Sequence, residues 1–270
     1  MEKLFNAGRV FYGISMAGLG LQTVYFHDFP YMLIPPTHYR IPCLTVISSI
    51  FGGLLLLAGA SIAIKVKTRL AALLLGVVLL LIFCFYFIPY QFFTNRNYMH
   101  LIEWDNPAKE LALAGGALVI AGCFPANNKS VFEKLLANAL PLRVAFFCLP
   151  MVSFGLFHFI YGKNVAGYIP EWIPNRVFWG YAAGVPLFCS GMAILLNIRR
   201  RLMAIVLGAV IFTWFIILHI PKAFAEALAN MGSEATSALL ALAYCGIAFV
   251  IAGLPKTTAA QTMQNIKPRT

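Results

Sequence analysis

The chain has 270 residues, of which 61% are hydrophobic and 11% charged, with a mean hydropathy of +0.82. A soluble domain carries about 25% charged residues, so this surface lacks the polar cover that water demands, and a soluble fold is excluded. The formal net charge of +11 does not point to nucleic acid, because the basic residues sit in short breaks between apolar runs, where they set membrane topology.

In chain order the apolar runs predict helices over 10–26, 43–64, 70–91, 109–124, 143–161, 177–197, 202–220 and 236–254. The second, third, sixth and seventh reach about 30 Å at the helical rise, the thickness of the hydrocarbon core. The fourth is the shortest and opens on Lys109 and Glu110. Run length and the absence of apolar/polar alternation exclude barrel strands. The first run, Val10 to Phe26, lacks a small-x-small cleavage site and has a copy later in the chain, so it is expected to persist as a helix. The fold class is therefore all-α, a polytopic transmembrane bundle of eight helices.

The two halves match. Gly8-Arg9-Val10 opens one and Leu142-Arg143-Val144 the other; Ile34-Pro35 answers Ile169-Pro170, and Gly59 answers Gly191. Arg69-Leu70, Gly76 and Ile88-Pro89 recur as Arg201-Leu202, Gly208 and Ile220-Pro221. The halves close on Ala121-Gly122-Cys123-Phe124-Pro125 and Ala252-Gly253-Leu254-Pro255. A register this steady reads as a duplication, with a first four-helix repeat at 1–128 and a second at 129–270 that ends in a short tail. An even number of helices per repeat inserts both the same way up, which makes the repeats parallel. With the N-terminus on one side and strict alternation, that side collects 14 of the 20 basic residues. Among them are Arg9, Lys65, Lys67, Arg69, Lys129, Lys134, Arg143, Arg199, Arg200, Arg201, Lys256, Lys267 and Arg269. Cationic short loops stay inside, so both termini are placed in the cytoplasm.

All five histidines fall on the opposite, outer side. His27, His38 and His100 lie in loops, and His158 and His219 lie near the outer ends of the fifth and seventh helices. These two helices run in the same direction, so the rings reach similar depth. They are the candidate cofactor-binding residues, as a metal pair, a haem pair or a quinone contact. The competing reading makes each an interfacial ring with one satisfied hydrogen bond. The first half has no histidine at the matching positions, so any such site belongs to one half only. Metal chemistry lacks support: HxxxH, HExxH and CxxC spacings are absent, and the six cysteines read as small buried thiols. Catalytic residues are not indicated.

Other features have structural readings. Gly180-Tyr-Ala-Ala-Gly184 and Ala117 to Ala121 carry small residues at helical spacing, for close packing in lipid. Pro150 and Pro186 fall inside runs and are expected to kink them. Arg9 and Arg143 are expected to snorkel to the cytoplasmic headgroups, with an anchor to acidic lipid or a partner's carboxylate as the alternative. Glu103, Trp104, Asp105, Lys109 and Glu110 form a dense polar cluster at the outer face, explained equally by ligand contact and by an aromatic-belt entry to the fourth helix.

With the repeat laid out, the second half resembles the DoxX-like family of small four-helix bacterial membrane proteins. The resemblance rests on Leu142-Arg-Val, on Phe154-Gly-Leu-Phe-His158-Phe, and on Ile169-Pro-Glu-Trp-Ile-Pro174. It continues in Gly191-Met-Ala-Ile-Leu before Arg199-Arg-Arg201-Leu, and the first half adds Asn106-Pro-Ala-Lys-Glu110-Leu-Ala-Leu-Ala-Gly-Gly116. The resemblance implies a tandem DoxX-like protein of a bacterial plasma membrane, associated with redox chemistry and with quinone as the implied cofactor class. It supplies no set of catalytic residues. The leading expectation is a redox-associated membrane subunit with a quinone or cofactor contact near the outer leaflet, at His158 and His219. The alternative is a non-enzymatic scaffold for a soluble or membrane partner. A small-solute transporter ranks below both, because midplane charges are missing.

Overall fold

The computed structural model describes residues 1–30, 32–35, 41–125, 142–226 and 228–254. The proposed repeat boundary at 128/129 lies outside these residues. So do His38, Arg40, Lys129, Lys134, Lys256, Lys267 and Arg269.

The described residues contain no strand. We label the long helices α1 (Glu2–Phe26), α2 (Leu44–Ala63), α3 (Thr68–Thr94) and α4 (Asp105–Ala121). They continue as α5 (Arg143–Ile160), α6 (Arg176–Leu195), α7 (Arg200–Ala225) and α8 (Ser233–Gly253). Among the described residues, α2, α3, α5, α6, α7 and the stretch Ala229–Gly253 that contains α8 are long and apolar enough to cross a membrane. Their outward faces carry large exposed side chains such as Leu54, Leu57, Phe85, Val185 and Leu202. Water would leave that surface uncovered and hydrocarbon covers it. These features mark a multi-pass membrane protein.

The largest differences from the expected spans are that α7 runs on to Ala225, five residues past 220, and that the first and fourth helices begin early. The first starts at Glu2 rather than residue 10, and takes in Lys3, Asn6 and Arg9. Arg9 does not reach for the headgroups. It is buried and donates to the carbonyl oxygens of Ile62 and Ala63 (2.7 Å to Ala63) at the end of α2. The fourth begins at Asp105, four residues early, and spans 17 residues with most of its surface buried.

The packing is ordered around α4 and α8, which touch each other and are the most enclosed helices. On one side α1 packs between α2 and α8; on the other α5 packs between α6 and α4. α3 lies against α4, and α7 against α8. Small residues let these backbones approach. A Cβ on Gly13 would fall 2.7 Å from the Gly59 carbonyl oxygen, and one on Gly20 2.5 Å from that of Gly52, so α1 and α2 meet backbone to backbone. Gly8 and Gly246 do the same between α1 and α8, and Gly115 lies against Phe146 and Phe147 between α4 and α5. Gly180 and Gly184 approach the carbonyls of Gly162 and Gly155, which gives the GxxxG a packing role.

Proline sets the irregular turns. Pro89 and Pro221 lack the N–H that an α-helix would use, and the preceding turns widen into π-helix at Phe83–Phe87 and Phe215–His219. Pro186 breaks α6 at Ala183, next to the carbonyl of residue 182 that its ring displaces. Pro150 is accommodated inside α5. The turns before α3 and α7 are alike: Lys65 and Lys67 take left-handed φ values of 65° and 46°, and Asn197 and Arg199 take 58° and 44°.

The close glycine contacts generate a prediction. Gly246→Leu inserts four carbons where Gly8 leaves no room and is expected to destabilise by about 1–3 kcal/mol. Gly53→Leu meets open space and is expected to change little. Thermal unfolding in detergent checks both.

Candidate functional site

At the end of the bundle that carries His158 and His219, α4, α5, α6, α7 and α8 do not close on one another. They surround a cavity of about 520 Å³ with a largely apolar wall, within the size range of small-molecule sites. Both candidate histidines line it, His158 from α5 and His219 from the π-helical turn of α7. His219 is carried there by the turn that Pro221 widens, so the proline that interrupts α7 also sets the ring's position. Asp105, Lys109 and Tyr244 add polar groups from α4 and α8.

The two rings are not equivalent. The Nδ1 of His158 is 2.7 Å from the Phe154 carbonyl oxygen. A carbonyl only accepts, so that nitrogen donates, and Nε2 of the neutral ring is left as an acceptor. The Nδ1 of His219 is buried with no hydrogen-bond partner. One ring is thus fixed by its own helix and the other holds an unused polar atom at the cavity wall. A buried polar atom without a partner costs about 1–3 kcal/mol.

Around the rings Asp105, Lys109 and Tyr244 are engaged, and Glu234 of α8 adds a further carboxylate to the wall. Lys109 pairs with Asp105 one turn back and reaches the Asn106 side-chain oxygen at 3.4 Å. The Tyr244 hydroxyl donates to the Lys109 carbonyl oxygen at 3.3 Å. The polar cluster predicted before α4 therefore divides. Asp105 and Lys109 face the cavity, whereas Glu103 accepts from Asn95 at 2.9 Å and Trp104 donates to the Tyr98 carbonyl, away from it.

A second, apolar groove of about 370 Å³ runs beside the cavity, lined by Trp172, Ile173, Thr213 and Ile217. Trp179, Val210 and Trp214 belong to both walls. The chamber and the groove are therefore separated by side chains of α6 and α7 only.

The α1 end of the bundle is closed. Gln22 donates to the Met231 and Gly232 carbonyl oxygens and exchanges hydrogen bonds with Thr236, tying α1 to α8. The loop after α1 tucks Phe29 and Leu33 into the core, whereas the loop after α5 leaves Tyr168 and Trp172 at the surface. His27 is an exposed cap residue 3.4 Å from the Ser49 hydroxyl, and His100 is exposed; neither approaches the chamber. Among the described residues no group of three or more His, Cys, Asp or Glu side chains is placed to hold a metal ion.

No family model, curated protein or solved structure matches the chain. The reading of the site therefore rests on its geometry. Sequence reasoning did not single out Tyr244 or Trp214, which sit inside apolar runs with nothing to separate them from lipid-facing aromatics, and it read Trp179 as part of the interfacial aromatic belt.

The unequal bonding of the polar groups is testable through stability. His219→Phe removes an unpartnered nitrogen and is expected to be neutral or slightly stabilising, whereas Gln22→Leu strips a satisfied network and is expected to cost about 1–3 kcal/mol. Melting temperatures of the two variants, measured side by side, distinguish a cavity-serving ring from a structural one.

Proposed function

We propose that this chain is a redox-associated subunit of a bacterial plasma membrane, and that the chamber between α4 and the helices of its second half holds a lipophilic quinone-type ligand. It crosses the bilayer eight times as two parallel four-helix repeats, residues 1–128 and 129–270, with both termini cytoplasmic. The DoxX-like resemblance supports this arrangement. So do the matching π-turns before Pro89 and Pro221 and the matching left-handed turns before α3 and α7.

The observation that carries the ligand reading is the joint placement of His158 and His219 on one chamber that shares a wall with an apolar groove. A quinone is a flat apolar ring with a carbonyl at each end and, in membranes, a hydrocarbon tail. The carbonyls accept hydrogen bonds, and the hydroxyls of the reduced form donate them. His158 Nε2 suits a donor. The free nitrogen of His219 serves either form, because the neutral imidazole offers a donor or an acceptor by tautomer. Trp179, Trp214 and Phe154 supply ring contact, and the groove at Trp172 and Ile217 suits the tail.

A short-chain benzoquinone tests this. Bound in the chamber, it is expected to quench the emission of Trp179 and Trp214 saturably. The His158→Ala/His219→Ala double variant is expected to weaken binding by roughly tenfold or more, the loss of one to two hydrogen bonds of ~1 kcal/mol each. Equal titration curves for the two proteins would remove both histidines from the site.

A further inference from the structure

Glu110 has no role in the chamber wall, and its environment is costly for a charge. It sits in the second turn of α4 with no solvent exposure, and both carboxylate oxygens are buried without a hydrogen-bond partner. An ionised carboxylate in that condition pays its full desolvation penalty with nothing returned, and a proton on the group removes most of it. The nearest cation along the helix, Lys109, is already paired with Asp105. Two tyrosines of neighbouring helices approach this part of α4, Tyr12 of α1 and Tyr244 of α8. Neither hydroxyl turns to Glu110. Tyr12 donates to the Leu113 carbonyl at 2.8 Å and Tyr244 to the Lys109 carbonyl. Nothing in the packing requires an acid at this point: the flanking residues of α4, Ala112, Leu113 and Ala114, are apolar and fully buried.

We propose that Glu110 is an internal proton site, a carboxyl that holds a proton within the bundle and exchanges it with the outer chamber by way of Tyr244. Tyr244 connects the two, since it lines the chamber and its hydroxyl donates to the carbonyl of Lys109, the residue next to Glu110. Its hydroxyl both donates and accepts, so on turning from the Lys109 carbonyl toward Glu110 it takes up one proton as it hands on another and stays neutral itself, while the charge left when a proton departs stays on the Glu110 carboxylate. The remaining titratable groups of the region, among the described residues, are Asp105 and Lys109 on α4, His158 on α5, Tyr168 in the loop after it, His219 and Lys222 on α7, Glu234 on α8 and Tyr12 on α1. The inference rests on the chamber being a ligand site that exchanges protons, and it adds the group that stores them.

Infrared spectroscopy of the full chain in lipid tests this without a bound ligand. At neutral pH the wild type is expected to show a carbonyl stretch of a protonated carboxyl, shifted down on transfer to D2O, lost in Glu110→Gln and moved in Glu110→Asp. In Tyr244→Phe the band is expected to persist and its D2O shift to slow. Wild-type and Glu110→Gln spectra that superimpose in this region would overturn the proton site. Unaltered exchange in Tyr244→Phe would overturn the route. Because no quinone is added, a chamber that rejects benzoquinone would still leave this result standing.

Discussion

In hydrocarbon every backbone N–H and C=O must find its partner inside the protein, and the irregular points of this bundle follow from that constraint. Helix ends are the critical places, because the last carbonyls of a helix have no partner of their own. Arginines meet that need at one end of the bundle. Arg9 closes α2, Arg69 donates to the Ala121 and Phe124 carbonyls beyond α4, and Arg201 donates to Ala252 in α8. Each places a cation at the negative end of a helix dipole. The basic residues that read as topology signals thus also finish the helices they follow or face.

The second consequence concerns the two prolines at equivalent places in α3 and α7. Each deprives its helix of a hydrogen bond, and each is answered by a wider turn. In α3 that turn presents Phe87 to the core; in α7 it presents His219 to the chamber. The same backbone device is filled with an apolar ring in one half and a polar one in the other. The Gln22–Thr236 tie and the tucked loop of Phe29 and Leu33 fill the α1 side, while the chamber opens beside His219.

Much of the helical order is legible in the amino-acid sequence because lipid imposes long charge-free runs, and α2 and α5 fall within one residue of the expected spans. The start of α1 is missed for a physical reason. Arg9 breaks the run by charge, yet the α2 terminus neutralises that cost, which only the assembled pair provides. α4 has 17 residues, short of a full span, and its burial on most sides keeps Glu110 away from lipid. His158 and His219 stand out as polar residues late in apolar helices. The aromatic and tyrosine residues that build the chamber around them do not, since spacing alone cannot tell a cavity wall from a lipid face.

The most direct measurement of the account is the sidedness of its turns. In a background without the native cysteines, single cysteines would be placed at Lys67, His100, Lys163 and Arg199 and exposed to a membrane-impermeant maleimide in intact cells. Labelling at residues 100 and 163, with 67 and 199 protected until the membrane is opened, is the predicted result. Residues 67 and 199 reacting from opposite faces would contradict it, because two parallel repeats in one bilayer cannot produce that pattern.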